Sequence, residues 1–356
     1  MGLSTGKPDH AGRGPDAHRR ADRGKAPPRL RTGPRATRLI LALTYVLVLA
    51  LAASAEPVRL ATWHGDFSRK GPGLLLKELE SRGPDLSTIL GAGPDVLLLT
   101  DFDYDAGAAA LGALQRRLKA AGLDLPHRFA ARPNTGLATG LDLDGDGLLG
   151  GPRDAQGFGW FSGQGGMAVL ARWPVSLAAD RSATLWKDVP DSAIAADDPG
   201  FAMQRLSSAA HWQLRVALPG APLTLLTLAA TPPVFDGPED RNGRRNRDEV
   251  LLWIRVLDGA LGPAPVGPVI LLGNFNVDPE RGDGRHDAAR TVLSHPRFSD
   301  PHPGADTVTW DSTGPMRVSY VLPDKALSLA GAGITPPSPD PALGPHRLVW
   351  VDIALP

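Results

Sequence analysis

Short apolar runs alternate with helical stretches along the chain from residue 58 onward. Runs rich in Val, Leu and Ile predict buried strands, at Val58–Trp63, Asp95–Thr100, Gly166–Arg172, His211–Leu218, Leu223–Ala229, Pro268–Gly273, Met316–Leu322 and Arg347–Ala354. Helical spacing of apolar residues predicts helices at Gly73–Arg82, Ala106–Ala121 and Asn246–Leu261. The Gly- and Asp-rich stretch 131–165 predicts a long ordered loop. Strands and helices mixed in this way favour a single α/β domain over residues 56–356.

An uncharged apolar run, residues 39–55, precedes the first strand. It follows a basic segment, residues 1–38, in which ten Lys and Arg face three Asp, so that its net charge is 10 − 3 = +7. A basic segment, an apolar run and the small residues Ala53-Ser54-Ala55 are typical of an export signal that is cleaved after Ala55. We therefore expect a periplasmic or extracellular protein. The alternative is that residues 39–55 stay attached as a short membrane anchor, which is the one route to membrane contact that the sequence offers.

Composition narrows the classes of protein. The 356 residues include 38 Lys and Arg, 38 Asp and Glu, and 42% hydrophobic residues, which is typical of a globular protein. There is no Cys, which excludes a disulfide scaffold, a thiolate zinc site, an iron–sulfur cluster and a cysteine nucleophile. Because the whole chain is neutral, the residues after 38 carry 0 − 7 = −7. They give no strong signal for nucleic-acid binding.

Polar side chains follow several predicted strands at the point where each strand ends. His64 and Asp66 follow the first strand, Asp101 follows the second, and Asn274 and Asn276 follow the strand at Pro268–Gly273. His346 stands directly before the last strand. Ligand sites of α/β proteins gather at the carboxyl ends of strands, and oxygen ligands suit Mg²⁺, Mn²⁺ or Ca²⁺.

A second acidic motif lies in the long loop. Asp142, Asp144 and Asp146 alternate before Gly147, as at the start of a calcium-binding loop. Position 12 of such a loop would be Arg153 where an EF-hand has Glu. Two interpretations stay open: a Ca²⁺ site, and an Asp/Gly turn held by bonds from side chains to the backbone.

The order of these segments resembles the endonuclease/exonuclease/phosphatase superfamily, the DNase I-like proteins, and within it an exported bacterial branch. The resemblance rests on VRLATWHGDFSRKGPGLLL, PDVLLLTDFDYD, LDLDGDG, GQGGMAVLAR, ATPPVFDGPEDRNGRRNRDE, VILLGNFNVDP, RVSYVLP and HRLVWVDIAL. It implies a four-layer α/β/β/α sandwich of two packed mixed sheets. It also implies phosphoester hydrolysis with Mg²⁺ or Mn²⁺, on a substrate whose class the sequence leaves open.

The family's site residues transfer to four positions. The resemblance implies that Asp66 and Asp101 ligate the metal, that Asn276 binds phosphate, and that His346 is the C-terminal catalytic histidine. His64, at the first strand, is a further candidate metal ligand through its imidazole. Arg241 and Arg244 are candidates for phosphate binding, against the alternative that they are solvated surface charges.

Five positions depart from the family pattern: His64 for Asn, Ala229 for His, Asn274 for the Asp of G-D-x-N, Ser319 for the Asp that orients the histidine, and Pro345 for the Asp that commonly precedes the histidine. An amide at 274 cannot take a proton from water. The expectation is therefore an impaired hydrolase. Two alternatives remain, namely replacement of the lost carboxylate by Asp103, Asp278 or Asp283, and a non-catalytic pseudoenzyme that binds a metal, phosphate or a partner in the same pocket.

Overall fold

The computed structural model describes residues 56–354, so the predictions for residues 1–38 and 39–55 lie outside the described part of the chain. No helix within residues 56–354 is both long and apolar enough to cross a bilayer. The described part forms thirteen strands, β1 to β13, at Val58–Phe67, Val96–Phe102, His127–Phe129, Gly166–Ala171, Val175–Asp180, His211–Val216, Leu223–Ala229, Val269–Asn274, Val308–Trp310, Gly314–Met316, Ser319–Pro323, Leu329–Ile334 and Val349–Ile353. Five helices, α1 to α5, lie at Leu74–Glu80, Ser87–Ala92, Ala109–Ala120, Arg241–Leu257 and His286–Ser294.

Two large mixed sheets carry the fold. One has the strand order β12-β13-β1-β2-β4-β3, and the other has the order β11-β8-β7-β6-β5. Strands β1 and β2 are parallel, with Leu60 opposite Val96, and β7 and β8 are parallel, with Thr224 opposite Val269. The remaining pairs in both sheets are antiparallel.

Three apolar clusters show how the layers stack. The first joins inward-facing residues of both sheets, such as Leu60 and Leu98 of one sheet and Leu225 and Ile270 of the other. The second packs the outer face of the six-stranded sheet against α1, α2 and α3. The third packs the outer face of the five-stranded sheet against α4 and α5. The predicted four-layer α/β/β/α sandwich is therefore confirmed.

Several predicted boundaries were wrong. The helix predicted at Asn246–Leu261 begins at Arg241 and ends at Leu257. The run Met316–Leu322 is not one strand, since β10 ends at Met316 and β11 begins at Ser319. The two ladders differ in partner, because β10 pairs with β9 in a small separate sheet while β11 pairs with β8. Pairing partners are a tertiary property that an apolar run does not encode.

Candidate active site

The carboxyl ends of β1, β2 and β8 meet at one pocket of about 690 Å³. Its lining includes His64 and Asp66 from β1, Asp101 from β2, Asn276 just after β8, and His346 just before β13. Parallel pairing of β1 with β2 places the ends of these strands at the same sheet edge. The structure thus brings together in one pocket five residues that the sequence analysis named separately.

Local backbone irregularities direct the two carboxylates into the pocket. The register of β1 against β2 shifts between His64 and Phe67, and the register of β2 against β4 shifts between Thr100 and Phe102. Such bulges bend a strand and redirect its side chains. Asp101 has φ +60°, a left-handed conformation that Asp tolerates better than most residues.

Asp66 and Asp101 form the acidic end of the pocket. One carboxylate oxygen of each, together with a ring nitrogen of His64, lies within 4.8 Å of the others. Neither carboxylate forms a salt bridge with any described residue. Ser68 Oγ donates a hydrogen bond of 3.1 Å to Asp101 Oδ2. An ideal Cβ at Gly344 would stand 2.6 to 2.7 Å from the atoms of the Asp66 carboxylate, so only glycine fits against this side chain.

The pKa values of these groups are shifted by burial and by each other. Burial, and then the charge of Asp66, raises the pKa of Asp101 to about 7. Burial also raises the pKa of Asp66, against the opposing effect of Arg69. Burial lowers the pKa of His64 to about 4, and burial followed by the proximity of His64 lowers the pKa of His346 well below its usual value. Two carboxylates that resist ionisation side by side form a place where a cation is favoured.

His346 is held by aromatic packing rather than by a carboxylate. Its ring centroid lies 4.4 Å from that of His64 and 5.4 Å from that of Trp310. Its backbone carbonyl accepts a hydrogen bond of 3.0 Å from Trp63 Nε1. Within the described residues, His346 Nδ1 and Ser319 Oγ are both buried without a hydrogen-bond partner. Ser319 therefore does not orient the ring as an Asp at this position would.

Two asparagines lie at the end of β8. Asn274 is buried behind the pocket lining, and Asn276 lines the pocket with φ +54°. Asn274 Nδ2 lies 3.0 Å from His64 Nδ1, and Thr100 Oγ1 lies 2.9 Å from the same nitrogen. The side chain of Asn274 thus contacts the imidazole of His64 and lies behind the pocket wall.

Two of the three alternative carboxylates already accept hydrogen bonds from other groups. Asp278 lines the pocket but accepts hydrogen bonds from the backbone N–H groups of Glu280, Arg281 and Arg317. Asp103 accepts from the N–H groups of Arg69 and Gly165, at 2.9 and 3.0 Å. Asp283 is exposed and lines the pocket. Of the three, Asp283 alone has a carboxylate without a hydrogen bond to a described residue.

The remaining candidate residues lie apart from the pocket lining. Arg241, the first residue of helix α4, forms a salt bridge of 2.7 Å with Asp198. It also donates a hydrogen bond of 3.0 Å to Gln204. Arg244 also does not line the pocket, and its Nε is buried. The structure thus does not bring the proposed phosphate-binding arginines to the site.

The loop Asp142–Asp146 is closed by its own hydrogen bonds. Asp142 accepts from the backbone N–H groups of Gly145, Asp146 and Gly147, at 2.7, 3.1 and 2.9 Å. The carboxylates of Asp142, Asp144 and Asp146 still lie within reach of one ion. These hydrogen bonds are those expected of an Asp/Gly turn, and Ca²⁺ binding stays a prediction.

Sequence reasoning missed several residues around the pocket. Ser208 lines the pocket and donates to the buried carboxylate of Glu249 at 2.8 Å, and Glu249 also accepts from the N–H of Thr231 at 2.7 Å. Phe158 and Phe235 line the pocket and are 57% and 75% exposed, so they form an apolar rim. The exposure of an aromatic side chain has no signal in the local sequence.

Known proteins share this architecture. A sequence model described as the endonuclease/exonuclease/phosphatase family matches residues 70–348. An endonuclease/exonuclease/phosphatase structure from Beutenbergia cavernae is 15% identical and covers 84% of this chain and 72% of its own, with a TM-score of 0.55. A family protein from Leptotrichia buccalis, 14% identical, covers 84% and 100% with a TM-score of 0.48. Sphingomyelinase C from Streptomyces griseocarneus, 15% identical, covers 83% and 99% with a TM-score of 0.46.

No curated protein matches the chain. The family model nevertheless spans the strands and helices from α1 to the residues just before β13. The chain therefore belongs to the endonuclease/exonuclease/phosphatase family.

Proposed function

We propose that this protein is a phosphoester hydrolase that depends on a divalent cation and whose catalysis is weakened by its own substitutions. Members of the family are generally dependent on divalent metals. The observation that carries the proposal is the pair Asp66 and Asp101, whose carboxylates meet in the pocket without a salt bridge to any described residue.

The residues present fit a hard cation. Asp66 and Asp101 supply carboxylate oxygens, the ligands that Mg²⁺ and Mn²⁺ prefer. Burial, and then repulsion by Asp66, raises the pKa of Asp101, and a bound cation would offset both effects. In such a site the cation neutralises charge on the phosphoryl group.

Two further side chains suit the phosphoryl oxygens. Asn276 spends one amide hydrogen on the carbonyl of Ala230, at 2.7 Å, which leaves its second N–H for a ligand. His346 presents its ring to the pocket between His64 and Trp310. Both side chains can therefore orient a phosphate, although neither has a carboxylate behind it.

Catalysis is weakened at the position that would activate water. The amide of Asn274 cannot accept a proton, and a positioned general base contributes about 10²–10⁴ in rate. Ser319, opposite Asn274 in the β8–β11 register, leaves His346 Nδ1 without a partner among the described residues. The methyl group of Ala229 lines the pocket where the family often places His. Binding is therefore better preserved than turnover.

A binding protein without turnover is the second candidate. The unpaired Ser319 Oγ and His346 Nδ1 favour it, because a site maintained for catalysis orients its histidine. Such a protein would hold a cation and a phosphate in the same pocket.

The lining favours an ester that carries an apolar group. Residues 232–235, Pro-Pro-Val-Phe, form one wall, and Phe158 extends the apolar rim. The described residues carry a net charge of −7, because the whole chain is neutral and residues 1–38 carry +7. A polyanion gains no general attraction from such a surface.

Export belongs to the same proposal. Residues 1–55 lie outside the described part of the chain, and cleavage after Ala55 rests on the pattern of basic, apolar and small residues. Mass spectrometry of the protein recovered from producing cells should find Glu56 at its N-terminus. A chain that still carries residues 39–55 would support the membrane anchor.

Hydrolysis of bis(p-nitrophenyl) phosphate, p-nitrophenyl phosphate and double-stranded DNA tests the function. We expect slow turnover of the aryl esters with Mg²⁺ or Mn²⁺, none with EDTA, and none after Asp101→Ala or His346→Ala. Asp124→Ala, at an exposed ion pair with Lys119, is the matched control and should retain the rate. Turnover that survives both pocket variants would refute the assignment.

The reverse experiment separates the two candidates. Restoring carboxylates with Asn274→Asp and Ser319→Asp should raise the rate by about 10²-fold or more. A silent parent whose restored variant turns over supports the binding protein with a decayed site. A restored variant that also stays silent would contradict the placement of Asn274 and Ser319 in the catalytic unit.

A further inference from the structure

A hydrogen-bond chain runs from the end of β7 to His64. Asn276 Nδ2 donates to the carbonyl of Ala230 at 2.7 Å, and Asn276 Oδ1 accepts from Asn274 Nδ2 at 3.0 Å. Asn274 Oδ1 accepts from the backbone N–H of Asn276 at 3.3 Å. The second hydrogen of Asn274 Nδ2 points to His64 Nδ1 at 3.0 Å.

Backbone groups at both amides determine the direction of this chain. A carbonyl can only accept and a backbone N–H can only donate, so Ala230 O requires the Nδ2 of Asn276 and the N–H of Asn276 requires the Oδ1 of Asn274. Rotating either amide by 180° would set oxygen against oxygen or N–H against N–H. Asn274 therefore presents an N–H group, and no lone pair, to His64.

The Nδ1 atom of His64 must therefore accept the hydrogen bond from Asn274. A neutral histidine has one donor nitrogen and one acceptor nitrogen, so acceptance at Nδ1 leaves the hydrogen on Nε2. Thr100 Oγ1, at 2.9 Å from Nδ1, is compatible because a hydroxyl can rotate to donate. His64 Nε2 has no hydrogen-bond partner among the described residues and is not enclosed by them, so it is open to the pocket that His64 lines.

We propose that His64 donates its Nε2–H to an anionic oxygen in the pocket and is not a ligand of the cation, and that Asn274 is the positioning residue for this tautomer. Although a ring nitrogen of His64 lies within 4.8 Å of the carboxylate oxygens of Asp66 and Asp101, the nitrogen that faces the pocket has no free lone pair. The substitutions at 64 and 274 thus act as a pair. Together they exchange a candidate metal ligand for an oxyanion donor.

This assignment has a consequence for the choice of metal. Without the imidazole, the cation has only the carboxylate oxygens of Asp66 and Asp101 from the clustered side chains. Oxygen ligands favour Mg²⁺ and Mn²⁺, whereas imidazole would favour Zn²⁺. An Asp at 274 would reverse the chain, because a carboxylate accepts from Nδ1–H and leaves a lone pair on Nε2.

Long-range ¹H–¹⁵N correlation of the full chain with ¹⁵N-labelled histidine tests the tautomer at neutral pH, and His64→Gln identifies the resonance. We expect the Nε2–H tautomer in the parent and the Nδ1–H tautomer after Asn274→Asp. Thr100→Val, which removes the other neighbour of Nδ1, is the matched control and should leave Nε2–H in place. An Nδ1–H tautomer in the parent, or one unchanged by Asn274→Asp, would overturn the proposal.

Zn²⁺ titration gives an independent reading. In the parent, His64→Ala should change the Zn²⁺ affinity less than twofold. In Asn274→Asp, Zn²⁺ should bind about tenfold tighter or more, and His64→Ala should remove that gain. A tenfold loss of Zn²⁺ affinity in the parent on His64→Ala would show ligation and refute the proposal. The proposal rests on the proposed pocket, but neither measurement requires turnover, so an absence of hydrolysis would refute the function and leave the tautomer standing.

Discussion

Replacing Asp101 by Asn should stabilise the cation-free protein at pH 8 while it removes cation binding. The backbone of Asp101 has φ +60°, which Asn adopts as readily as Asp. The hydrogen bond from Ser68 Oγ can be kept by the amide oxygen, since it joins a single oxygen of Asp101. The substitution therefore removes the charge with little change in shape.

The size of the effect follows from the pKa of Asp101, which burial and Asp66 raise from 3.8 to about 7. A pKa that is about three higher in the folded than in the unfolded state corresponds to about 4 kcal/mol. Because the folded pKa lies above the unfolded value, the contribution to stability is complete below about pH 4 and is lost as the pH rises through about 7. At pH 8 the ionised carboxylate thus destabilises the fold, and Asp101→Asn should recover about 1–4 kcal/mol. Near pH 4 that gain should vanish.

Urea unfolding at pH 4 and pH 8 measures this difference, with EDTA present and then with Mn²⁺. Because Mn²⁺ binds only the folded parent, a Mn²⁺ concentration of a hundred times the Kd should raise the parent's free energy of unfolding by about 2.7 kcal/mol. The free energy of unfolding of Asp101→Asn should not change with Mn²⁺. Asp124→Asn, at an exposed ion pair, is the control and should stay within about 0.5 kcal/mol at both pH values. An Asp101→Asn protein that is less stable than the parent at pH 8 without cation would show that the ionised carboxylate does not destabilise the fold.

Two further predictions concern residues that contact the pocket lining. Gly344→Ala should weaken Mn²⁺ binding, because its Cβ would stand 2.6 Å from the Asp66 carboxylate. Gly304 has a similar φ and open space around it, so Gly304→Ala should share only the backbone strain of roughly 1–2 kcal/mol. Equal Mn²⁺ affinity in the two variants would contradict this prediction. Glu249→Ala should lower the free energy of unfolding by about 3–5 kcal/mol, because it leaves buried donors without an acceptor, whereas exposed Glu80→Ala should cost less than about 1 kcal/mol. Urea denaturation measures the free energy of unfolding of both Glu variants. A loss for Glu249→Ala no larger than for Glu80→Ala would contradict a stabilising role of the buried carboxylate.

Much of the fold was predictable because the core strands are continuous apolar runs. Strand β7 was predicted at its observed bounds, Leu223–Ala229, and all of its residues are buried. Elements with weaker patterns were missed, such as the short helix Ser87–Ala92 and the largely exposed strand Val175–Asp180. Amphipathic or exposed segments depend on neighbours that the local pattern does not name.

The site was predictable as a set of residues but not as a geometry. Polar residues at strand ends pointed to Asp66, Asp101 and His346, and the shared pocket follows from parallel pairing of β1 with β2. The orientation of the Asn274 amide was not predictable, because it depends on the carbonyl of Ala230, which is distant in sequence, as well as on the backbone N–H of Asn276. Arg241 was expected to bind phosphate, but its side chain forms a salt bridge with Asp198 instead.

Calorimetric titration of Mn²⁺ into the parent and into the Asp66→Asn, Asp101→Asn double variant tests whether these two carboxylates hold the cation. We expect a Mn²⁺ site in the parent that disappears in the double variant, and the same signal in both proteins from the separate loop at Asp142–Asp146. Equal Mn²⁺ binding by the two proteins would contradict the assignment of the cation to the strand-end pocket.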